Sequence, residues 1–273
     1  MDGTLRALFA PLFAQLLLAG LLSAAVDRQA AAQDLEVDLE LVLAVDVSRS
    51  MDLKEQELQR NGYAQAISHP DVIAAIEGGL LQRIAVTYVE WAGPGRERVI
   101  VPWRLIDSEE SAKGMTAALS GASLSSWSGT SITAALTFSA SLFQDNGYEG
   151  LRRVIDISGD GPNNAGGLVT IARDQVIAEG ITINGLPILA GTPGAYGIAY
   201  LDAYYEACVI GGPGAFMVTV FDMETFAVAI RQKLILEIAG RSPWKQIAQA
   251  RSEVPDVIDC AIGEKIRMRW EDH

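Results

Sequence analysis

The sequence predicts an α/β protein with a doubly wound, mostly parallel central sheet of about six strands flanked by helices. Apolar runs of strand length alternate along the chain with stretches of helical periodicity, which is typical of a parallel sheet covered on both faces. The tight connection Gly93-Pro94-Gly95 joins two neighbouring strands and predicts one short antiparallel edge strand. Together these observations indicate a Rossmann-like three-layer sandwich.

Strands are predicted where runs rich in valine, isoleucine and leucine are bounded by turn residues. The clearest is Leu39–Val45, whose nearly continuous apolar character predicts a fully buried strand that ends at small polar residues. The other predicted strands span 84–91, 97–103, 153–157, 182–189 and 216–220.

Helices are predicted between these strands. The stretch 53–76 has helical periodicity, and His69-Pro70 is expected to break it, because proline cannot continue a helix. The remaining predicted helices span 107–120, 132–143, 168–179, 201–209 and 223–239.

Composition excludes several classes of protein. The chain has 273 residues, of which 49% are hydrophobic and 20% are charged, as in a packed globular protein. A net charge of −13 repels nucleic acid and anionic membrane surfaces. We therefore expect no nucleic-acid partner and no membrane association of the mature form. Residues 241–273 are expected to form a tail packed on a domain that spans 36–240.

Residues 1–32 predict a cleavable signal peptide. Arg6 and the amino terminus are positive, residues 7–25 are apolar and uncharged, and Ala30-Ala31-Ala32 offers a cleavage site after Ala32. A retained membrane anchor is the alternative, because the uncharged run approaches a spanning length. The predicted location is therefore secreted or periplasmic.

Cys208 and Cys260 are the only two cysteines. An even count in an exported protein predicts one disulfide, which would fasten the tail to the main domain. Two buried free thiols are the alternative.

Oxygen-bearing side chains follow two of the predicted strands. Asp46, Ser48 and Ser50 stand at alternate positions after the first strand, so their oxygens can converge on one point. Thr130 precedes the helix 132–143, and Asp160 follows the strand 153–157. Hydroxyl and carboxylate oxygens suit a hard cation such as Mg²⁺, and ligands of open α/β sheets bind beyond the carboxyl ends of the strands.

These three segments resemble the von Willebrand factor type A family, whose metal-ion-dependent adhesion site is written D-x-S-x-S, a distant T, and D-G. The corresponding positions here read Asp46-Val47-Ser48-Arg49-Ser50, Thr130 and Asp160-Gly161, and the resemblance covers about residues 36–240. It implies that Ser48 and Ser50 bind the ion directly, and that Thr130, Asp46 and Asp160 bind it directly or through water. The implied ion is Mg²⁺, or Mn²⁺ or Ca²⁺ in its place.

The resemblance implies binding rather than catalysis. An unidentified protein or peptide partner would supply an acidic ligand to the metal, and the predicted function is an exported, divalent-cation-dependent adhesion-type domain. A scaffold stiffened by the ion, with partner binding elsewhere, is the second hypothesis, and a metal-assisted hydrolase is the third. No enzyme is expected, because no spare general base accompanies the motif. Of the two histidines, His69 precedes a proline at a predicted helix end, where a surface or capping role is expected, and His273 is the terminal residue. The family often moves its last helix, here 223–239, on ligation, and the sequence leaves that point open.

Overall fold

Strands and helices alternate along the residues that the computed structural model describes, which are 33–190, 196–240 and 254–271. The strands are β1 (Leu35–Val37), β2 (Leu39–Asp46), β3 (Ile84–Trp91), β4 (Arg98–Ile106), β5 (Tyr148–Gly150), β6 (Arg153–Gly159) and β7 (Thr182–Pro187). The α-helices are α1 (Leu53–Ile67), α2 (Pro70–Glu77), α3 (Glu109–Gly121), α4 (Ile132–Ser141), α5 (Val169–Ala178), α6 (Leu201–Tyr204), α7 (Phe226–Ile238) and α8 (Ile262–Glu271). All of them belong to the unit of the chain that begins at Leu35.

The central sheet has the strand order β4-β3-β2-β6-β7. All neighbours are parallel except β3 and β4, so the predicted antiparallel edge strand is confirmed. The α/β sandwich is confirmed as well, with helices on both faces of a mainly parallel sheet.

The described residues place five strands in this sheet, whereas about six were predicted. The predicted strand 216–220 makes only isolated parallel bridges, from Met217 to Gly185 and from Val220 to Ile188. The two bridges share one register, but Pro187 lies between them and has no backbone N–H, so the ladder is interrupted there. Before the first bridge, the backbone N–H of Phe216 donates to the side chain of Asn184 at 3.0 Å.

Two apolar cores lie on opposite faces of the sheet, and β2 contributes to both because successive side chains point to opposite faces. Leu41 and Leu43 pack toward α1, α2, α3 and α7, whereas Val42 and Ala44 pack toward α4 and α5. Every residue of β2 is buried, as the apolar run predicted. The break at His69-Pro70 is also confirmed, since α1 ends at Ile67 and α2 begins at Pro70.

Both edges of the sheet depart from a regular strand edge. Edge strand β4 contains Pro102, which has no backbone N–H, and its pairing with β3 shifts register around Tyr88. Along the other edge strand, β7, the segment 211–220 forms backbone hydrogen bonds, among them one from the N–H of Val218 to the carbonyl of Gly185 at 3.1 Å.

The C-terminal part of the chain is fastened to the sheet domain by a disulfide between Cys208 and Cys260, as predicted, with the Cα atoms 5.5 Å apart. Cys208 lies in a π-helical turn, Tyr205–Val209, that continues α6. The predicted signal peptide 1–32, with its cleavage after Ala32, and the tail residues 241–253 and 272–273 lie outside the described residues. Within the described part of the chain, no helix combines the length and the apolar character needed to span a bilayer.

Candidate metal centre

The loop after β2 brings Ser48 and Ser50 side by side. Asp46 ends β2 and is fully buried, and its Oδ1 accepts a hydrogen bond from the backbone N–H of Ser48 at 2.7 Å. This bond turns the chain sharply just past the strand. As a result the hydroxyls of Ser48 and Ser50 share a hydrogen bond of 2.8 Å.

Asp160 reaches the same point from the neighbouring strand. β2 and β6 are adjacent and parallel, with Val45 paired to Ser158, so their carboxyl ends lie at one edge of the sheet. Asp160 directly follows β6, and its Oδ1 accepts a hydrogen bond of 2.7 Å from the hydroxyl of Ser50. Two segments 110 residues apart in sequence therefore meet through their side chains.

Thr130 lies on a third segment, between α3 and α4, and is buried. Its backbone N–H donates to Oδ1 of Asn164 at 3.0 Å, and the N–H of Asn164 donates to the carbonyl of Thr130 at 2.9 Å. Trp127, on the same segment, pairs with the loop after β2, since it accepts a backbone hydrogen bond from Arg49 at 2.9 Å. The structure thus brings all five predicted residues to one edge of the sheet, and that they hold an ion stays a prediction.

The two carboxylates of this cluster are costly to ionise where they lie. Burial, and then the charge of Asp160, raise the pKa of Asp46 well above its usual value. Burial also raises the pKa of Asp160, although the hydrogen bond from Ser50 works in the opposite direction. Oδ2 of Asp46 is buried and has no hydrogen-bond partner. A nearby divalent cation would stabilise the ionised form of both carboxylates and would give Oδ2 of Asp46 a partner, so these residues fit such an ion.

The donors differ from the usual carboxylate and imidazole set. No group of three or more His, Cys, Asp or Glu side chains suited to a metal occurs among the described residues. The candidate site depends instead on hydroxyl oxygens with two carboxylates, a set that suits hard cations with some water in their shell.

Sequence reasoning missed one residue beneath the site, Tyr205. A methyl group added at Gly159 would lie 2.9 Å from the hydroxyl of Tyr205 and 3.0 Å from Oδ2 of Asp46, so both oxygens approach the same point of β6. The Tyr205 hydroxyl has no hydrogen-bond partner, and burial followed by the charge of Asp46 raises its pKa. No local pattern indicates this position, because it depends on how the π-helical turn packs.

A cavity of about 1130 Å³ opens above the cluster and is lined by Ser48, Ser50, Thr130 and Asp160. Helix α8 and the segments after β7 form other parts of its lining. His69 lies elsewhere, since it caps the amino terminus of α2 and contacts Arg231.

Comparison with known sequences identifies one family. The family described as “Protein of unknown function (DUF1194)” matches residues 36–242. No sequence among the curated proteins is significantly similar to the chain.

Solved structures with the same fold include proximal thread matrix protein 1 from the mussel byssus, at 13% identity and a TM-score of 0.55 over 76% of this chain and 49% of that one. A von Willebrand factor type A protein from Catenulispora acidiphila has 16% identity and a TM-score of 0.51 over 74% and 43% of the two chains. The pilus adhesin SpaC from Lactobacillus rhamnosus GG has 13% identity and a TM-score of 0.54 over 74% and 31%.

This chain spans less than half the length of each of these three proteins. At such low identity the likeness concerns the fold, which is that of a von Willebrand factor type A domain, as the motif resemblance predicted.

Proposed function

The chain belongs to the family described as “Protein of unknown function (DUF1194)”, and we propose that it is an exported domain that binds a protein partner through a divalent cation. The observation that carries the proposal is the contact of Ser48, Ser50 and Asp160 above the buried, unpaired Oδ2 of Asp46. Such an arrangement leaves negative charge and several oxygens facing one point, with no cationic side chain among them.

Five residues would hold the ion, namely Asp46, Ser48, Ser50, Thr130 and Asp160. Because only two of them are carboxylates, the charge of a +2 ion is balanced there but not exceeded. The ion keeps its Lewis acidity and can accept a further carboxylate oxygen from a partner. Mg²⁺ is the proposed ion, with Mn²⁺ and Ca²⁺ as its alternatives. Hard oxygen donors support this choice.

The structural relatives support the proposal without deciding it. One structure of the mussel byssus protein has a zinc-occupied MIDAS motif, at 13% identity and a TM-score of 0.53. SpaC is a pilus adhesin. An extracellular or periplasmic location also agrees with the disulfide between Cys208 and Cys260, since such bonds persist in oxidising compartments.

The decisive experiment is thermal unfolding of the purified protein after chelation, with Mg²⁺, Mn²⁺ or Ca²⁺ then added back. An ion that binds only the folded state raises the melting temperature as its concentration increases. Replacing both hydroxyls, Ser48→Ala with Ser50→Ala, is expected to abolish this rise while leaving the chelated protein folded. The matched control Ser120→Ala with Ser123→Ala changes two exposed serines outside the site and should keep the full response. A full ion response in the Ser48 and Ser50 double variant would refute the proposal.

A stabilised scaffold with a partner site elsewhere is the second candidate. It predicts the same rise in melting temperature but no competition between carboxylate ligands and water at the ion.

Metal-assisted hydrolysis is the weaker alternative. Two carboxylates outside the motif line the cavity, Glu55 and Glu271, and each is engaged. Glu55 accepts a hydrogen bond of 2.9 Å from the N–H of Asp52, and Glu271 pairs with Arg267 at 2.7 Å. Groups held in this way favour binding over proton transfer.

A further inference from the structure

We infer that the partner presents its acidic residue between bulky apolar neighbours, on a slender extended segment that enters the cavity above the cluster. The inference rests on the proposed function and adds the chemistry of the partner. It is drawn from the parts of the cavity that lie outside the five candidate metal ligands.

The first observation is an apolar wall beside the cluster. Ile188, Leu189 and Ile198 line the cavity together with Phe221. Phe221 is 56% exposed and Leu189 is partly exposed, whereas Ile188 and Ile198 are buried. An apolar side chain that enters beside the ion would therefore leave water and contact this wall.

The second observation is that the C-terminal helix closes one side of the cavity. Arg267 and Glu271 of α8 belong to the lining, and Trp270 contacts the ring of Tyr196 at 6.4 Å between centroids. α8 lies beyond residues 36–242, which the family match covers. The site is consequently a walled cavity rather than an open surface, and it admits a narrow segment more readily than a flat protein face.

α8 is held firmly enough to act as a wall. The amide of Asn163 donates to Glu264 at 2.6 Å, and the same Asn163 caps the start of α4 through the N–H of Thr133 at 3.1 Å. A methyl group at Gly263 would lie 2.0 Å from the carbonyl of Asn163, so the backbone of α8 touches the loop after β6 directly. The disulfide at Cys260 fastens the segment just before the helix.

The third observation is the balance of charge. The chain carries 34 acidic and 21 basic residues, but the cavity lining holds equal numbers, with Arg49, Arg96 and Arg267 against Glu55, Asp160 and Glu271. With the buried Asp46 beneath the cluster counted as well, four carboxylates stand against three arginines and a divalent cation, so the occupied cavity is still net positive in an otherwise acidic protein. That balance attracts an anionic segment and repels a cationic one.

The test uses three pentapeptides with blocked ends and a fluorescent label, measured by anisotropy against the purified protein in Mg²⁺ and again in chelator. Their sequences are Gly-Leu-Asp-Leu-Gly, Gly-Gly-Asp-Gly-Gly and Gly-Leu-Asn-Leu-Gly. Burial of a leucine side chain is expected to make the first bind about tenfold or more tighter than the second. The third should bind at least as weakly as the second, because its amide cannot replace the carboxylate at the ion.

Two variants test whether the preference for the leucine peptide depends on the apolar wall. Phe221→Ser should remove most of the advantage of the leucine peptide and leave the glycine peptide unchanged. Val228→Ser is the matched control, since Val228 is 46% exposed on α7 but does not line the cavity, and it should change neither affinity.

The outcomes separate the two proposals. Equal, chelator-sensitive binding of both aspartate peptides would overturn the inference and leave the proposed function standing. Tight binding of the asparagine peptide would also overturn the inference. The absence of any Mg²⁺-dependent peptide binding, in a protein that Mg²⁺ does not stabilise, would overturn both.

Discussion

At the scale of single residues, the candidate site depends on how closely the backbone of β6 approaches Asp46. Gly159 ends β6, and a side chain there would collide with Oδ2 of Asp46 and with the hydroxyl of Tyr205. Only a residue without a side chain lets these two oxygens occupy their positions. The absence of a side chain at Gly159 therefore leaves the room that these two oxygens occupy beneath the cluster.

The substitution Gly159→Ala is accordingly expected to lower the free energy of unfolding by about 1–3 kcal/mol, as overpacking does in a close-packed interior. It should also weaken the response to Mg²⁺, because Asp46 must move. Urea unfolding in chelator and in Mg²⁺ measures both effects. Gly161→Ala is the neighbouring control, since a methyl group there meets no atom within 4 Å. Equal stability of the two variants would show that the contact at Gly159 carries no strain.

The types of residue in the site were predictable, but their surroundings were not. Alternate oxygens after a buried strand indicate a shared point because strand geometry fixes the direction of the chain. By contrast, Tyr205 reaches the site from a distant segment, and no spacing in the sequence encodes that approach.

At the scale of elements, α7 is attached to the sheet by a buried cluster of charges. Lys233 of α7 lies 2.7 Å from Oδ1 of Asp156 on β6 and also pairs with Glu237 one turn along the helix. Glu237 accepts a hydrogen bond of 3.0 Å from Asn184 on β7. Burial alone would lower the pKa of Lys233, but the charges of Asp156 and Glu237 outweigh it and raise that pKa.

This cluster opposes sliding of α7. A shift of the helix along its axis would separate Lys233 from Asp156 while all three charges stay buried, which is strongly unfavourable. The sequence left open whether the last helix moves on ligation, as the resemblance to von Willebrand factor type A domains implies. In this chain, such a movement would have to break the buried ion pair between Lys233 and Asp156.

The same cluster predicts a dependence of stability on pH. Burial, and then the charge of Asp156, raise the pKa of Glu237 to about 7. Because the folded state holds this proton more tightly than the unfolded state, the stabilisation is complete below the usual glutamate pKa and is lost as pH rises through about 7. The charge effect amounts to at most about 3 kcal/mol.

Glu237→Gln should remove this loss, so the variant becomes more stable than the natural protein at pH 8 and nearly equal to it near pH 4.5. Urea unfolding in chelator across this range measures the difference. Glu224→Gln, at an exposed position before α7, serves as the control and should run parallel to the natural protein. A constant difference between Glu237→Gln and the natural protein would contradict the prediction.

Helices and strands with a strong apolar periodicity were predicted to within a few residues. Elements with a weak periodicity were missed. β2, β3 and the break between α1 and α2 follow directly from apolar pattern and proline. The three-residue strands β1 and β5 were missed because their pairing is too short to leave a pattern. α8 was missed as well, since its mixed polar sequence gains its place from contacts with Asn163 and from the disulfide.

At the scale of the whole molecule, one disulfide cross-links the C-terminal segment to the sheet domain. Cys208 and Cys260 are separated by 52 residues, so the bond limits the freedom of a long loop in the unfolded chain. The chain-entropy account gives about 4 kcal/mol for a loop of this size.

Replacement of both cysteines, Cys208→Ala with Cys260→Ala, should lower the free energy of unfolding by roughly 3–4 kcal/mol. Hydrogen exchange should show lost protection first in α8, because the bond fixes the segment just before this helix to the sheet domain, while the central strands stay protected. Unchanged exchange in α8 would show that Glu264 and Gly263 hold the helix without the bond. The reduced natural protein is the matching comparison, since it keeps every side chain.

The unusual edges of the sheet also have a consequence for the protein at high concentration. Proline on β4 and the shifted register beside it deny an incoming strand a regular row of donors, and the segment along β7 occupies the opposite row. Among the strands that the structure describes, neither edge of this sheet offers a regular template on which another polypeptide could grow into a fibril. Concentrated solutions should therefore resist amyloid-like aggregation through the edges of this sheet.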